Sequence, residues 1–269
     1  MANLHQQGRY QLNKSEDILK ELAYLERYED IHILYAVEAG SRAWGFDSMD
    51  SDYDVRFVYR RQITDYLRLE GRKDTIEHSI GLLDMAGWDL DKAFRLMRKS
   101  NPSFFEWLGS PIIYREDANW DLVRRLAKRC YDPVSTAYHH IGMARSTMKE
   151  RLKGDVVPAK SYLYAIRSAF AAEWVLKHFE PVPVPFVTLF EDQKWWLRDS
   201  VSDKIADLLN LKRNDPENAK VPRDNDLERW LEGSLQGTER TIDQYRYREP
   251  PAWQEIDDLY LKMLGLKAF

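Results

Sequence analysis

The chain has 269 residues, 44% of them hydrophobic and 31% charged. That balance belongs to a folded protein with a sizeable core and excludes disorder as its main state. Lys and Arg number 40 against 44 Asp and Glu, so the net charge of -4 excludes a surface that is basic throughout, while a local basic groove stays compatible with it. Cys130 is the single cysteine, which rules out an internal disulfide framework and a cysteine-rich zinc site and fits a reducing, cytoplasmic setting.

The opening MANLHQQGRYQLNK lacks the apolar core of a signal peptide, and no run of residues is apolar enough to span a bilayer, so no membrane is expected as a partner. Residues 14–29 carry Ile18, Leu19, Leu22 and Leu25 at helical spacing, with Asn13 and Glu16 placed to form a capping box. Residues 31–38 are short, β-branched and aromatic, the pattern of a buried strand that runs into a turn at Gly40-Ser41. A loop or short helix leads to a second strand at 53–59, where Val55, Phe57 and Tyr59 share one face and Asp54, Arg56 and Val58 the other. A short helix is expected at 63–69 and further strands at 74–80 and 81–86, with Gly81 between them. Asp89 reads as the N-cap of a helix through Met97, Asn101-Pro102 breaks it, Ser103–Leu108 restart it, and Pro111–Tyr114 look extended.

From Asn119 onward the texture is helical, with helices expected near 119–130, 134–152, 159–178, 191–211, 224–246 and 252–264. Pro181, Pro183 and Pro185 form a stiff connector. Residues 212–223 are polar and proline-bearing, the composition of an exposed loop. The fold class is therefore α+β, with an α/β domain over residues 1–116 and an all-helical domain over 117–269.

The chemistry sits in one stretch. Asp52 and Asp54 are spaced i, i+2 around a strand start, so both carboxylates point to the same face and can share divalent cations. Upstream, Gly40 lets a phosphate approach backbone N–H groups and Ser41 adds a hydroxyl donor. Strand, Gly-Ser turn, loop and acid pair in that order make a triphosphate clamp beside a metal site, which suits phosphoryl or nucleotidyl transfer. Asp84, flanked by Leu83 and Met85 on an expected strand, is the candidate third carboxylate, with Glu77 its competitor. The alternative for Asp84 is a structural acid paired with an arginine. His78 is expected to pack or hydrogen-bond rather than bind a metal.

These residues resemble a known family. Gly40-Ser41, Asp52-Tyr53-Asp54-Val55 and Leu83-Asp84-Met85 follow in order the motif of the DNA polymerase β superfamily. More narrowly, GSRAWGFDSMDSDYDVRF, GWDLDKAFRLMRKSNPSFFEWLGSPIIY and AKSYLYAIRSAFAAEW are similar to bacterial nucleotidyltransferases whose RNA-repair-associated members are called RlaP. The resemblance implies a polymerase-β-like palm, a mixed sheet packed by helices, followed by a helical domain that faces the cleft. It implies Gly40 and Ser41 on the triphosphate of an NTP, with Arg42 continuing the match toward phosphate. It also implies Asp52, Asp54 and Asp84 on two Mg2+ ions, or Mn2+ in their place.

Other residues stay open at this level. Glu38 puts an acid near the expected triphosphate, and the sequence leaves its direction undecided. Lys160, Tyr164 and Arg167 share a helix face by i, i+4, i+7 spacing. They either hold phosphates and stack on the base or form a surface charge pair with tyrosines in an interdomain core. Lys92 has the same two readings. The basic run Arg124, Arg125, Lys128 and Arg129 is an acceptor-strand contact or a solvated face. The leading expectation is transfer of a nucleoside monophosphate from an NTP to a hydroxyl, with an RNA end or a small molecule as acceptor. The alternatives are protein nucleotidylylation, as in antitoxin-like members, and a non-catalytic nucleotide- or RNA-binding protein.

Overall fold

Period-two alternation in one strand decides the layering. The computed structural model describes residues 14–48, 50–214 and 219–266, so the expected Asn13 cap lies outside the described residues. Strand β1 (His32–Glu38) is followed by the short helix α2 (Gly40–Trp44) and β2 (Tyr53–Arg60), and helix α1 (Lys14–Tyr28) precedes them. In β2, Val55, Phe57 and Tyr59 are fully buried. They pack with Ile76, Leu83 and Met85 under Ile18, Leu22 and Leu25 of α1. The opposite face of β2 grades from half-buried Asp54 and Arg56 to buried Val58, which joins the larger core made with the helices. One face is thus closed along its length, and the other is closed only at one end.

After α3 (Ile63–Tyr66) come β3 (Thr75–Ile80) and β4 (Leu83–Asp89), then α4 (Leu90–Arg98), α5 (Pro102–Leu108) and β5 (Ile113–Glu116). The five strands form one mixed sheet in the order β3-β4-β2-β1-β5. Strands β2 and β4 are parallel, and the other neighbours are antiparallel. Asp89 caps α4 as its sequence predicts, accepting from the Asp91 N–H and from the Tyr66 hydroxyl at 2.8 Å.

The remainder comprises α6 (Trp120–Cys130), α7 (Pro133–Arg151), β6 (Val156–Pro158), α8 (Ala159–His178), α9 (Phe186–Gln193), α10 (Asp199–Asn214), β7 (Lys220–Pro222), α11 (Asn225–Ile242) and α12 (Trp253–Met263). This part departs from the all-helical expectation. Strands β6 and β7 pair as a two-stranded ribbon, so residues 220–222 are strand within the stretch read as loop. The helix expected at 191–211 is two helices. A 3-10 turn at Lys194–Trp196 ends with Leu197 in extended backbone, and α10 then starts afresh. The apolar pattern runs through that break without a proline or glycine to mark it. Helix α8 is buried nearly all round and carries the core against α7, α10 and α11. Trp120 of α6 stacks on Tyr35 of β1 with centroids 4.6 Å apart, so the large core is continuous across Glu116, the expected boundary. Among the described residues, no helix is long and apolar enough to cross a membrane.

Candidate active site

The open end of the sheet face carries the acids. The parallel register sets Asp54 directly beside Asp84, and both side chains are partly exposed, at 29% and 48%. One guanidinium nitrogen of Arg56 lies 2.8 Å from Asp54 Oδ1 and 2.9 Å from Asp84 Oδ2. Arg56 follows from the same alternation that aims Asp54 outward, because residues i and i+2 share a face. Ser79 of β3 donates to Asp84 Oδ1 at 3.2 Å. Glu77 lies on the outer strand opposite Ala86, a row away from the Asp54–Asp84 pair. The geometry therefore seats Asp84, not Glu77, beside Asp54. His78 contacts Glu21 of α1 at 3.4 Å, on the covered face.

Gly40 is shaped to this pair. Its φ is +59°, and a Cβ built there would fall 2.0 Å from Asp54 Oδ2. A side chain at 40 and the carboxylate at 54 exclude each other, and the left-handed backbone adds about 1–2 kcal/mol against any other residue. Ser41 follows in the first turn of α2. Beneath the pair, Glu38 is fully buried. Its Oε1 accepts the Asp54 N–H at 2.9 Å, its Oε2 accepts the Tyr114 hydroxyl, and Ser110 donates to its carbonyl. Burial pushes the Glu38 carboxyl up, against the pull of those two donors. Glu38 thus faces inward and braces the strand that carries Asp54.

The loop into β2 is held by Arg42, which donates to the carbonyls of Ser51 at 2.6 Å and Asp52 at 3.0 Å. It pairs with Asp47 at 3.1 Å and stacks over the Tyr53 ring at 3.9 Å. Three of Arg42's five N–H groups are thus turned to loop acceptors, a bracing arrangement beside the phosphate contact that the resemblance implies. Asp52 is exposed and stands one residue ahead of β2. Among the described residues, no three His, Cys, Asp or Glu side chains are gathered closely enough to hold a metal ion. The expected three-acid cluster is therefore an in-register pair bridged by a guanidinium, with Asp52 next to it in sequence. The donor set still fits a hard cation. It is all carboxylate oxygen, and a positive group already stands between two of its members.

Arg167 is the clearest correction. It is 4% exposed and stacks on Trp44 at 4.3 Å. Its closest acid is Glu106 at 3.5 Å, which also accepts the Trp44 indole N–H at 2.8 Å. Burial holds its basicity below the ordinary value. With Tyr131 and His140 it lines a small cavity, and its burial turns it away from a phosphate at the surface. Tyr164 is half-buried, edge-on to Trp44 at 5.3 Å. Lys160 is half-buried in the first turn of α8. Lys92 pairs with Asp74 at 3.0 Å. Arg124, Arg125 and Arg129 pair with Glu116, Asp121 and Glu255, which makes that run a neutralised face.

Residues 15–262 match the model of RlaP, described as the RNA repair pathway DNA polymerase beta family. The chain is also 35% identical over 246 residues to a Bacillus subtilis (strain 168) protein named "Uncharacterized protein YcgL", covering 91% of this chain and 94% of that one. A crystal structure of a nucleotidyltransferase-like protein from Exiguobacterium sibiricum aligns over 92% of this chain and 78% of that chain, at 12% identity and a TM-score of 0.31. That likeness is too loose to argue from.

Proposed function

This chain belongs to the RlaP family, the RNA repair pathway DNA polymerase beta family, and from that premise we propose that it moves a nucleoside monophosphate from an NTP to a hydroxyl at an RNA end. The observation that carries the reading is the in-register Asp54–Asp84 pair with Gly40 cut away beside it. An oxygen-lined face next to a side-chain-free turn suits a phosphate chain and its counter-cation.

In this reading Gly40 and Ser41 receive the β- and γ-phosphates, and Lys160 supplies a further positive contact. Tyr164 packs the floor through Trp44. Asp52, Asp54 and Asp84 would hold Mg2+ or Mn2+, with Arg56 giving up its bridging position. Such ions, when bound, supply charge neutralisation at the attacking and leaving oxygens. The acceptor oxygen forms a bond to the α-phosphorus, the bond to the bridging oxygen of pyrophosphate breaks, and the acceptor's proton passes to Asp84. Glu38 and Arg42 act as positioning residues, one under Asp54 and one behind Asp52.

The test uses NTP labelled at the α-phosphate, offered with RNA of defined 3′ ends and with cell lysate. Label entering RNA, with pyrophosphate released, supports the reading. Label entering protein would replace it with protein nucleotidylylation. NTP binding without transfer to any acceptor would leave a nucleotide-binding protein.

A further inference from the structure

Lys212 lies in the last turn of α10, inside the polar stretch whose composition predicts an exposed loop. It is 2% exposed. Its ammonium donates to Ser48 Oγ at 3.0 Å and Ser51 Oγ at 3.4 Å. A lysine at a helix end ordinarily runs its stem along the surface and keeps its charge in water. Burying an ammonium on neutral hydroxyls is an expensive arrangement, and an apolar residue would fill the same space at lower cost.

The two serines form one knot. Ser51 Oγ accepts the Ser48 N–H at 2.9 Å, the two hydroxyls lie 3.0 Å apart, and the Ser51 N–H reaches the Ser48 carbonyl at 3.1 Å. Arg42 grips the carbonyl side of the same loop at Ser51 and Asp52. Arg213, beside Lys212, donates to the Gly45 carbonyl at 3.3 Å. The loop that delivers Asp52 is thus held by Arg42 from the sheet side and by Lys212 from α10.

We propose that Lys212 is a positioning residue that locks the Ser48–Ser51 turn and so sets Asp52 beside Asp54 for cation binding, coupling α10 to the acidic face. The proposal rests on the nucleotidyl-transfer reading for its purpose, and on the loop geometry for its substance. Lys212 acts through the two hydroxyls.

Two readouts on the full chain test it, and neither uses activity. The first is amide exchange over residues 51–55. K212M keeps the stem and removes the charge, so these amides exchange faster at unchanged global stability. K212R restores protection. The second is Mn2+ binding followed by electron paramagnetic resonance, where K212M weakens affinity about tenfold, as loss of a supporting contact does in metal sites. Unchanged exchange and unchanged Mn2+ affinity in folded K212M would overturn the proposal. A wild-type chain that binds no Mn2+ while K212M still loosens the loop would leave the lock standing and remove the transfer reading instead.

Discussion

Two arginines in this molecule lie against acids, and their surroundings give them opposite uses. Arg56 bridges Asp54 and Asp84 with short contacts on a face that water reaches. Arg167 is sealed between Trp44, Glu106 and α8, with its nearest carboxylate at 3.5 Å and its Nε without a hydrogen-bond partner among the described residues. Near solvent the dielectric screens the pair, and ions can be exchanged at modest cost. In the interior the charge has nowhere else to go, and removing one partner strands the other. The first arrangement is a place where a ligand can take over a counter-ion's role. The second ties α2, which begins at Gly40, to the helical part.

The sharpest way to break that comparison is at the open site. Asp54→Asn should lower pyrophosphate release by at least about 10²-fold, the scale of losing one preorganised electrostatic group, with the melting temperature little changed. Wild-type turnover in that variant would deny the acidic face its role. Next comes the sealed site. Arg167→Met removes the stack on Trp44 and the long contact to half-buried Glu106, which keeps the Trp44 N–H, and should cost about 2 kcal/mol in urea unfolding. NTP affinity per folded molecule should hold, and a large KM change at unchanged stability would reverse the two assignments.

Gly40→Ala lies between the two regions. It should destabilise the fold by about 1–2 kcal/mol through its left-handed backbone, and it should depress turnover further by displacing the Asp54 carboxylate. Equal turnover per folded molecule would separate Gly40 from the site. At neutral pH the next change is silent, and it sharpens the sealed side only on acidification. Burial, with Arg167 and His139 adding to it, holds His140 down at about 3 against an ordinary 6.5. The unfolded chain therefore takes up a proton that the folded one refuses. Its contribution to stability is present above pH 6.5 and is lost as pH falls toward 3, by on the order of 1 kcal/mol per pH unit. His140→Gln should flatten that part of the urea-midpoint profile, and an unchanged slope would mean the imidazole already titrates in the folded state.

What was legible in the sequence follows the range of the forces involved. The strand, the Gly-Ser turn and the acid spacing are local, and alternation in β2 already put Asp54 and Arg56 on one face. The pairing of Arg56 with Asp84 was not legible, because it depends on which strand lies beside β2. Helical spacing placed Lys160, Tyr164 and Arg167 together, yet α8 is buried on almost every side, so spacing alone did not reveal that Arg167 meets Trp44 and Glu106. Lys212 gave no signal at all, because its neighbours Arg213 and Asn214 are polar and its burial depends on a loop far away in sequence. Glu38 could be placed near the turn, and its inward aim needed Tyr114 on β5.

The side-by-side alignment of β2 with β4 has an evolutionary and practical corollary. Side chains alternate strictly along a strand, so removing a single residue between Gly81 and Leu83 would send the acid at 84 to the side where α1 packs. Homologues are then free to lengthen or rewrite the excursion through α3 and β3, provided the two backbones enter their ladder in phase. A deletion scan should show function surviving length changes in that excursion and failing when a single residue is removed inside β2 or β4 ahead of its acid, a contrast that no substitution series would reveal.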